Sequence, residues 1–216
     1  WGVNIQFDDN GKPVFYEEVA VLAFPAGEQE SLDTADIKVL NSRFDHENET
    51  LSWDVPEGEW IITRYLLSNS GEPVKVPSPN SVGPIIDHYD PEATEFHFNY
   101  IAEKLQSVLG DISETAIKYF YLASYEAKGL TWTVTLPEMF EEHHGYEVYK
   151  FLPIVFGKQI NSKELTDAFA YDYNHTISEL MINNHYRKGR EVCKKYGLNL
   201  ASEAGGPGLP LHNVPV

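Results

Sequence analysis

The sequence is poor in cysteine and in positive charge. Its single cysteine, Cys193, has no partner for an intrachain disulfide, and one thiol does not assign a redox compartment. Lys and Arg total 16 against 33 Asp and Glu, which gives a formal net charge of -17. A surface this acidic repels phosphate groups, so we expect neither nucleic acid nor an anionic membrane as a partner.

Long apolar runs are also missing. No segment approaches the roughly 20 apolar residues that span a bilayer, and no secretion signal is seen at the start. The sequence begins at Trp1 rather than Met and ends in what reads as a loop, so we expect a piece of a longer protein. With 42% hydrophobic and 13% aromatic residues in a total of 216, it has enough apolar material for a folded core.

Residues 1–56 have the pattern of a β-rich accessory region. Short β segments alternate with turn residues, and Asn10-Gly11 favours a hairpin between the first two segments. Polar, acidic stretches separate the later segments. We therefore expect a small β-sheet region ahead of the part of the chain that carries the chemistry.

Residues 57–216 change to an alternation of apolar strand, loop and amphipathic helix, which is typical of parallel βαβ units. Asp90-Pro91 predicts the start of a helix that ends at Gly110. The strands are dense in apolar residues, as expected of strands buried on both faces, and are predicted at residues 59–67, 117–122 and 198–202. Because a complete barrel needs eight strands, the predicted fold class is α/β, a partial TIM-type barrel of about three parallel βα units after a small β-rich region.

Two of the predicted strands lead into a glutamate, Glu126 and Glu203. In parallel α/β folds, functional side chains gather where strands end. A carboxyl group at the mouth of an apolar strand is partly desolvated, which raises its pKa towards values that suit acid–base chemistry, and glycoside hydrolysis uses two carboxyl groups. The alternative is that either glutamate caps a helix or pairs with a nearby lysine.

Aromatic and polar side chains accompany these glutamates. Tyr125 or Trp132 is expected to face substrate, because sugar rings stack their C–H faces on aromatic side chains, although both could instead fill a core. Asp87 and His88 follow the first predicted strand and could reach the same cleft. Asp87 could equally be a turn residue before the helix cap at Asp90. Oxygen ligands near the strand ends could hold calcium, but no EF-hand spacing supports it, and no metal ligand is assigned.

Several short motifs resemble those of glycoside hydrolase family 106. In chain order they are Trp53-Asp54-Val55-Pro56-Glu57-Gly58-Glu59-Trp60, Ala123-Ser124-Tyr125-Glu126, Thr131-Trp132-Thr133, Gly145-Tyr146, Leu152-Pro153 and Ser202-Glu203-Ala204-Gly205-Gly206. Each motif alone is weakly specific, but their common order makes the combined signal more specific. The resemblance extends from about Val19 to the last residue.

The resemblance implies an α-L-rhamnosidase that is bacterial, secreted or periplasmic, and that degrades plant or microbial polysaccharide. It also implies a TIM-like catalytic domain with β-sandwich modules, inversion by two glutamates, and room for calcium near the active site. Glu126 matches the glutamate of the family's Asp-Ser-x-Glu-like segment, and Glu203 opens the Glu-Ala-x-Gly segment. This sequence departs from the family at Ala123, where an Asp is expected, and it stops before a later Glu-Phe-Trp-like segment.

The sequence therefore predicts an exo-acting glycosidase with Glu126 as general acid and Glu203 as base or as a contact to a substrate hydroxyl. A second hypothesis is a non-catalytic carbohydrate-binding module, in which the same side chains only grip sugar. A third keeps the fold and changes the sugar, for example to a galactoside. The isolated fragment is expected to be inactive, because most of the barrel strands would be absent.

Overall fold

The computed structural model describes residues 5–27, 30–75, 77–80, 82–123, 127 and 131–203. The chain divides into two compact units. The parallel-sheet unit contains residues 1–4, 70–136 and 174–216, and the antiparallel-sheet unit contains residues 5–69 and 137–173. The arrangement is mixed α/β, with small sheets and several helices, and no helix of the described part is long and apolar enough to cross a membrane.

The antiparallel-sheet unit is organised around strand β1, Glu17–Pro25. β1 lies between β2 (Lys38–Val39) and β5 (Trp60–Leu67), and both neighbours run antiparallel to it. Residues 20–23 of β1 are buried, as expected of a central strand that carries apolar side chains on both faces. Two short strands, β3 (Phe44–Asp45) and β4 (Thr50–Leu51), form a separate antiparallel pair.

The prediction that residues 59–67 form a strand of the parallel region is wrong. A strand is present there as β5, but it pairs antiparallel with β1, and Ile61 and Ile62 are 44% and 50% exposed rather than buried. Apolar and β-branched residues favour a strand without specifying its partner. The partner of β5 lies about forty residues earlier in the chain, so only the tertiary structure identifies it.

Aromatic side chains fill the helical part of the antiparallel-sheet unit. The helices here are α2 (Leu136–His144), α3 (Leu152–Val155) and the first part of α4 (Lys163–Leu180). The ring of Phe140, which is fully buried, lies 5.0 Å from the ring of Tyr146 and 5.6 Å from that of Phe169. The Tyr146 hydroxyl donates to Asp172 at 2.8 Å, and burial raises the pKa of Tyr146. These rings hold the helices together by packing more than by charge.

The parallel-sheet unit confirms the other two predicted strands. β6 (Tyr119–Leu122) and β7 (Asn199–Ser202) are parallel neighbours, in register from Tyr119 opposite Asn199 to Leu122 opposite Ser202. β6 alternates exposed and half-buried residues, and β7 has two half-buried residues between exposed ends, so neither strand is buried on both faces. The apolar side of this sheet packs on helices, since Phe120, Leu122 and Leu200 lie against the core cluster of Phe98, Ala102, Ile112, Val192, Cys193 and Leu198.

Two helices cover this sheet, and the sequence predicts the bounds of the first. α1 (Pro91–Leu109) begins after Asp90, whose carboxylate accepts a hydrogen bond from the backbone N–H of Glu92 at 2.8 Å. It ends at Gly110, which takes a φ of 75°. α5 (Lys188–Lys195) packs against α1 and buries Cys193, and burial raises the pKa of this thiol to about 11. Cys193 is therefore a packing residue of the core.

α4 and α5 follow each other along the chain and are separated by a wider helical turn. Between α4 and α5, Met181–Arg187 adopts π-helical geometry. Such segments are uncommon and occur frequently at functional sites, because they rotate side chains away from the register of an α-helix. The segment carries His185, which is buried inside the unit.

Gly189 allows α5 to lie close to α1. A Cβ atom built at this position would be 2.8 Å from Cζ of Phe98, a ring that is only 3% exposed. Alanine is favoured over glycine in a helix by about 1 kcal/mol, whereas overpacking of a core costs about 1–3 kcal/mol. We expect Gly189→Ala to lower the free energy of unfolding by up to about 2 kcal/mol, measured by urea denaturation. Gly83→Ala is the matched control, because a Cβ there meets no atom within 4 Å, and equal losses in both variants would contradict the expectation.

Candidate functional site

The candidate site lies where β6 and β7 end. The two strands run parallel and in register, so Leu122 and Ser202 stand opposite each other at one edge of the sheet. The backbone N–H of Glu203 donates to the carbonyl oxygen of Leu122 at 3.0 Å, which continues the ladder by one residue. This is the edge at which parallel α/β folds carry their functional side chains.

Glu203 is held at this edge by a tyrosine. The hydroxyl of Tyr121 donates to Oε1 of Glu203, and this contact raises the pKa of Tyr121. Both side chains are exposed, so the partial desolvation that the sequence led us to expect for Glu203 is not present in the described residues. Tyr121 was not among the predicted site residues. A signal for it existed, because alternation within β6 places Tyr121 on the opposite face from Leu122, which packs on the helices.

Glu126 and Tyr125 lie outside the described residues, so their positions stay predictions. The flanking residues Ala123 and Ala127 are described. Ala123 directly follows β6, which places the start of the segment that leads to Glu126 at the same sheet edge as Glu203.

Asp87 has the geometry of a turn residue. Its Oδ1 accepts from the backbone N–H of Tyr89 at 2.9 Å, and its carbonyl oxygen accepts from the N–H of Asp90 at 3.2 Å. Its Oδ2 accepts from the hydroxyl of Thr133 at 2.8 Å, while burial raises the pKa of this carboxyl group. Both carboxylate oxygens are thus engaged within the protein, as the turn interpretation predicts.

The bond from Thr133 to Asp87 also positions Trp132. Thr133 is buried and Trp132, its neighbour, is half-buried. This hydrogen bond connects the turn before α1 with the segment that follows Glu126 in the sequence. A contact between Trp132 and sugar stays a prediction.

His88 lies against a second histidine. Its ring centroid is 4.5 Å from that of His185, and the rings meet edge to face at 85°. Burial lowers the pKa of His88 to about 4 and that of His185 to about 3, with a smaller contribution from neighbouring imidazoles. The hydroxyl of Thr94 lies 3.4 Å from Nδ1 of His185. These imidazoles are therefore uncharged near neutral pH.

These histidines line a cavity of about 670 Å³ within the parallel-sheet unit. Its walls include Glu72, His88, His97, His185 and the strand-end residues Leu122 and Ala123. Neither Glu72, His97 nor His185 was predicted as a site residue. Their positions are distant in the sequence and follow no motif spacing, so no sequence signal connects them.

The described residues do not form a metal centre. No group of three or more His, Cys, Asp or Glu side chains in the described ranges is arranged to hold an ion. The calcium that the family resemblance allows therefore has no ligand set among the described residues.

Comparisons with known proteins place this geometry in context. The model of the family Glyco_hydro_106, alpha-L-rhamnosidase, matches residues 3–213. A protein of Formosa agariphila named "Putative beta-glucuronidase" is 28% identical over 218 residues, which cover 88% of this chain and 19% of that protein. The structure of a rhamnosidase from Novosphingobium sp. PP1Y superposes with a TM-score of 0.73 at 23% identity, covering 83% of this chain and 18% of that one, and so shares its fold. The chain spans about a fifth of the length of these relatives.

Proposed function

Because the chain belongs to glycoside hydrolase family 106, we propose that it is part of an inverting, exo-acting enzyme that hydrolyses α-L-rhamnosides. This membership confirms the resemblance found in the sequence motifs. The observation that carries the proposed reaction is the parallel pair β6 and β7, one strand leading along the chain to Glu126 and the other directly into Glu203. Glycoside hydrolysis uses two carboxyl groups, and an inverting enzyme holds them about 6.5–9.5 Å apart, which leaves room for a water molecule.

In the proposed reaction, Glu126 is the general acid. Its carboxyl group donates a proton to the glycosidic oxygen as the bond from that oxygen to the anomeric carbon breaks. Glu203, as carboxylate, accepts a proton from the water that attacks the opposite face of the anomeric carbon. The hydroxyl of Tyr121 orients Glu203 by its hydrogen bond to Oε1, leaving Oε2 for the water or for a substrate hydroxyl.

The fold proposal follows from the same strands. We propose that β6 and β7, together with α1 and α5, are units of a TIM-type barrel. Such a barrel is built from parallel strands that are covered by helices on one side, as these two strands are. The predicted boundary between an accessory region, residues 1–56, and a catalytic region, residues 57–216, stays a proposal. β5 pairs with β1 of the accessory region, so the barrel units would begin after Leu67.

The surroundings of the enzyme are also proposed from its family. Plant or microbial polysaccharide is the proposed source of substrate, and a bacterial secreted or periplasmic protein is the proposed setting. Carbohydrate is the partner that a glycoside hydrolase implies.

A second candidate function changes the sugar. The relative from Formosa agariphila carries the name of a beta-glucuronidase, which favours a test of a β-glucuronide beside the rhamnoside. The pocket that selects a sugar lies mainly in loops, and loops vary within one fold and one family. A galactoside and a non-catalytic sugar-binding role are the remaining alternatives from the sequence.

The test is hydrolysis of matched aryl glycosides by the intact protein that contains this chain. We expect release of the aryl group from an aryl α-L-rhamnoside and little from the aryl β-D-glucuronide or galactoside. Proton NMR at early times should show β-L-rhamnose as the first product, because a single displacement inverts the α configuration. A first product with α configuration would contradict the inverting mechanism. Preference for the glucuronide would show that glucuronic acid, not rhamnose, is the sugar that the enzyme releases. Binding without hydrolysis of any glycoside would favour a non-catalytic carbohydrate-binding module.

A further inference from the structure

A second pocket, of about 740 Å³, lies within the antiparallel-sheet unit. Its lining comes from β2 and the turns beside it, from the segment that follows β4, and from the helical turn Tyr149–Phe151 and the residues before it. Its volume falls within the range that small-molecule sites occupy. Glu126 and Glu203 both belong to the other unit, so the proposed reaction gives this pocket no role.

Basic side chains from three segments converge on this pocket, although the chain as a whole has a net charge of -17. They are Lys38, Arg43 and Lys150. Nζ of Lys38 donates to the carbonyl oxygen of Ala35 at 3.0 Å, and an ammonium group has further N–H groups to donate. Within the described part of the chain, the side chains of Arg43 and Lys150 make no hydrogen bond or ion pair. The pocket therefore offers several charged donors to a ligand.

The fold fixes where these cations start. Lys38 lies in β2, opposite Ala23 of β1. The backbone N–H of Arg43 donates to the carbonyl oxygen of Leu40 at 2.9 Å, and its own carbonyl accepts from the N–H of Ser52 at 3.1 Å. The turn that carries Lys150 packs against β2. Three positive groups are thus placed around one pocket by tertiary packing, not by a sequence motif.

The tryptophan motif of residues 53–60 supplies the aromatic wall. The ring of Trp53 lies 5.5 Å from that of Trp60, edge to face at 85°, and both pack against the core cluster of this unit. Nε1 of Trp60 donates to the carbonyl oxygen of Pro56 at 3.2 Å, which closes the turn between them. Trp53 is half-buried and lines the pocket. A ring held in this way presents an apolar surface on which the C–H face of a sugar can stack.

The charges of the lining select among ligand classes. Three cations repel a metal ion, and the described residues contain no group of metal ligands. Asp54 and Glu147 line the same pocket, so a ligand of dense negative charge, such as nucleic acid, is repelled there. A sugar ring with one carboxylate fits both signs. Its carboxylate accepts hydrogen bonds from the cations, and its hydroxyl groups donate to Asp54 or Glu147.

We propose that this pocket binds a uronate, a pyranose ring that carries one carboxylate. Arg43, Lys38 and Lys150 bind the carboxylate, and Trp53 contacts the C–H face of the ring. The inference rests on the proposed function only for the choice of a sugar as the ligand. The role of the site is to retain the enzyme on a polysaccharide that contains acidic sugars.

The test is isothermal titration calorimetry of the intact protein with two glycosides, in a Glu126→Gln background that prevents hydrolysis. Methyl β-D-glucuronide carries the carboxylate, and methyl β-D-glucopyranoside has a hydroxymethyl group in its place. We expect the glucuronide to bind about tenfold more tightly, because charge-assisted hydrogen bonds are stronger than neutral ones. Arg43→Gln and Lys150→Gln should each remove most of this difference, and either variant suffices if the other does not fold. Lys158→Gln, an exposed change in the same unit, is the matched control and should leave it unchanged.

The outcomes separate this site from the proposed reaction. Equal affinity for the two glycosides would overturn the site. So would a preference for the glucuronide that Arg43→Gln and Lys150→Gln leave unchanged, because the glucuronide would then bind elsewhere in the protein. With Glu126 intact, both pocket variants should hydrolyse an aryl α-L-rhamnoside as the wild type does. Absence of that hydrolysis in the wild type would contradict the proposed function, while a glucuronide affinity that depends on Arg43 and Lys150 would still support the site.

Discussion

Replacement of Glu126 by glutamine should lower turnover of a rhamnosyl disaccharide by about 10²–10⁴-fold, the usual contribution of general acid–base catalysis. The amide keeps the size and shape of the side chain but has no acidic proton for the departing oxygen. The loss should be smaller for a nitrophenyl rhamnoside, because a leaving group of low pKa departs with little protonation. The measurement is kcat for both substrates, with wild type and variant at the same pH.

The pattern across substrates identifies the role of each carboxyl group. Glu203→Gln should slow both substrates to a similar extent if Glu203 is the base, because water activation does not depend on the leaving group. Tyr121→Phe removes the hydrogen bond that orients Glu203 and should produce a smaller loss in the same direction. Glu103→Gln, on the exposed face of α1, is the matched control. Unchanged turnover in Glu126→Gln would show that Glu126 is not the general acid.

Acidification should destabilise the parallel-sheet unit as the pH falls from 6.5 to about 4. Burial lowers the pKa of His88 to about 4 and that of His185 to about 3 in the folded protein, whereas both would titrate near 6.5 in the unfolded chain. The unfolded state therefore takes up protons first. Stability from these neutral imidazoles is fully present above pH 6.5 and is lost as the pH falls through the folded pKa values.

The expected loss is about 3 kcal/mol for His88 alone, since each pKa unit corresponds to about 1.4 kcal/mol. Asp87 acts in the opposite direction at the acid end of this range, because burial raises the pKa of its carboxyl group. Urea denaturation at several pH values measures the slope. His88→Phe should flatten it, while His46→Gln, a change at an exposed histidine, should leave it as in wild type. Equal slopes in all three proteins would show that the buried histidines do not govern acid stability.

Local signals in the sequence were enough for several features. Asp90 and Pro91 predict the start of α1, and Gly110 its end, because capping and backbone conformation depend on neighbouring residues. Positions of β6 and β7 follow from short apolar runs between turn residues. The motifs, in their common order, identify the family, because they name particular residues at particular positions, whereas composition and periodicity do not.

Strand pairing required the tertiary structure. β5 has the same apolar density as a parallel barrel strand, yet β1 is its partner, and nothing within residues 60–67 encodes that choice. Asp87 likewise had two compatible roles in the sequence. Its bonds to Tyr89 and to the distant Thr133 give it the geometry of a turn residue.

Glu126 and Glu203 were selected by the sequence alone, because a carboxylate after an apolar strand is a local pattern. The tertiary structure added the hydrogen bond from Tyr121 to Glu203, which joins residues 82 positions apart in the chain, and a cavity lined by Glu72 and His185. Such contacts depend on how the elements pack, and packing is a property of the whole fold rather than of any short segment.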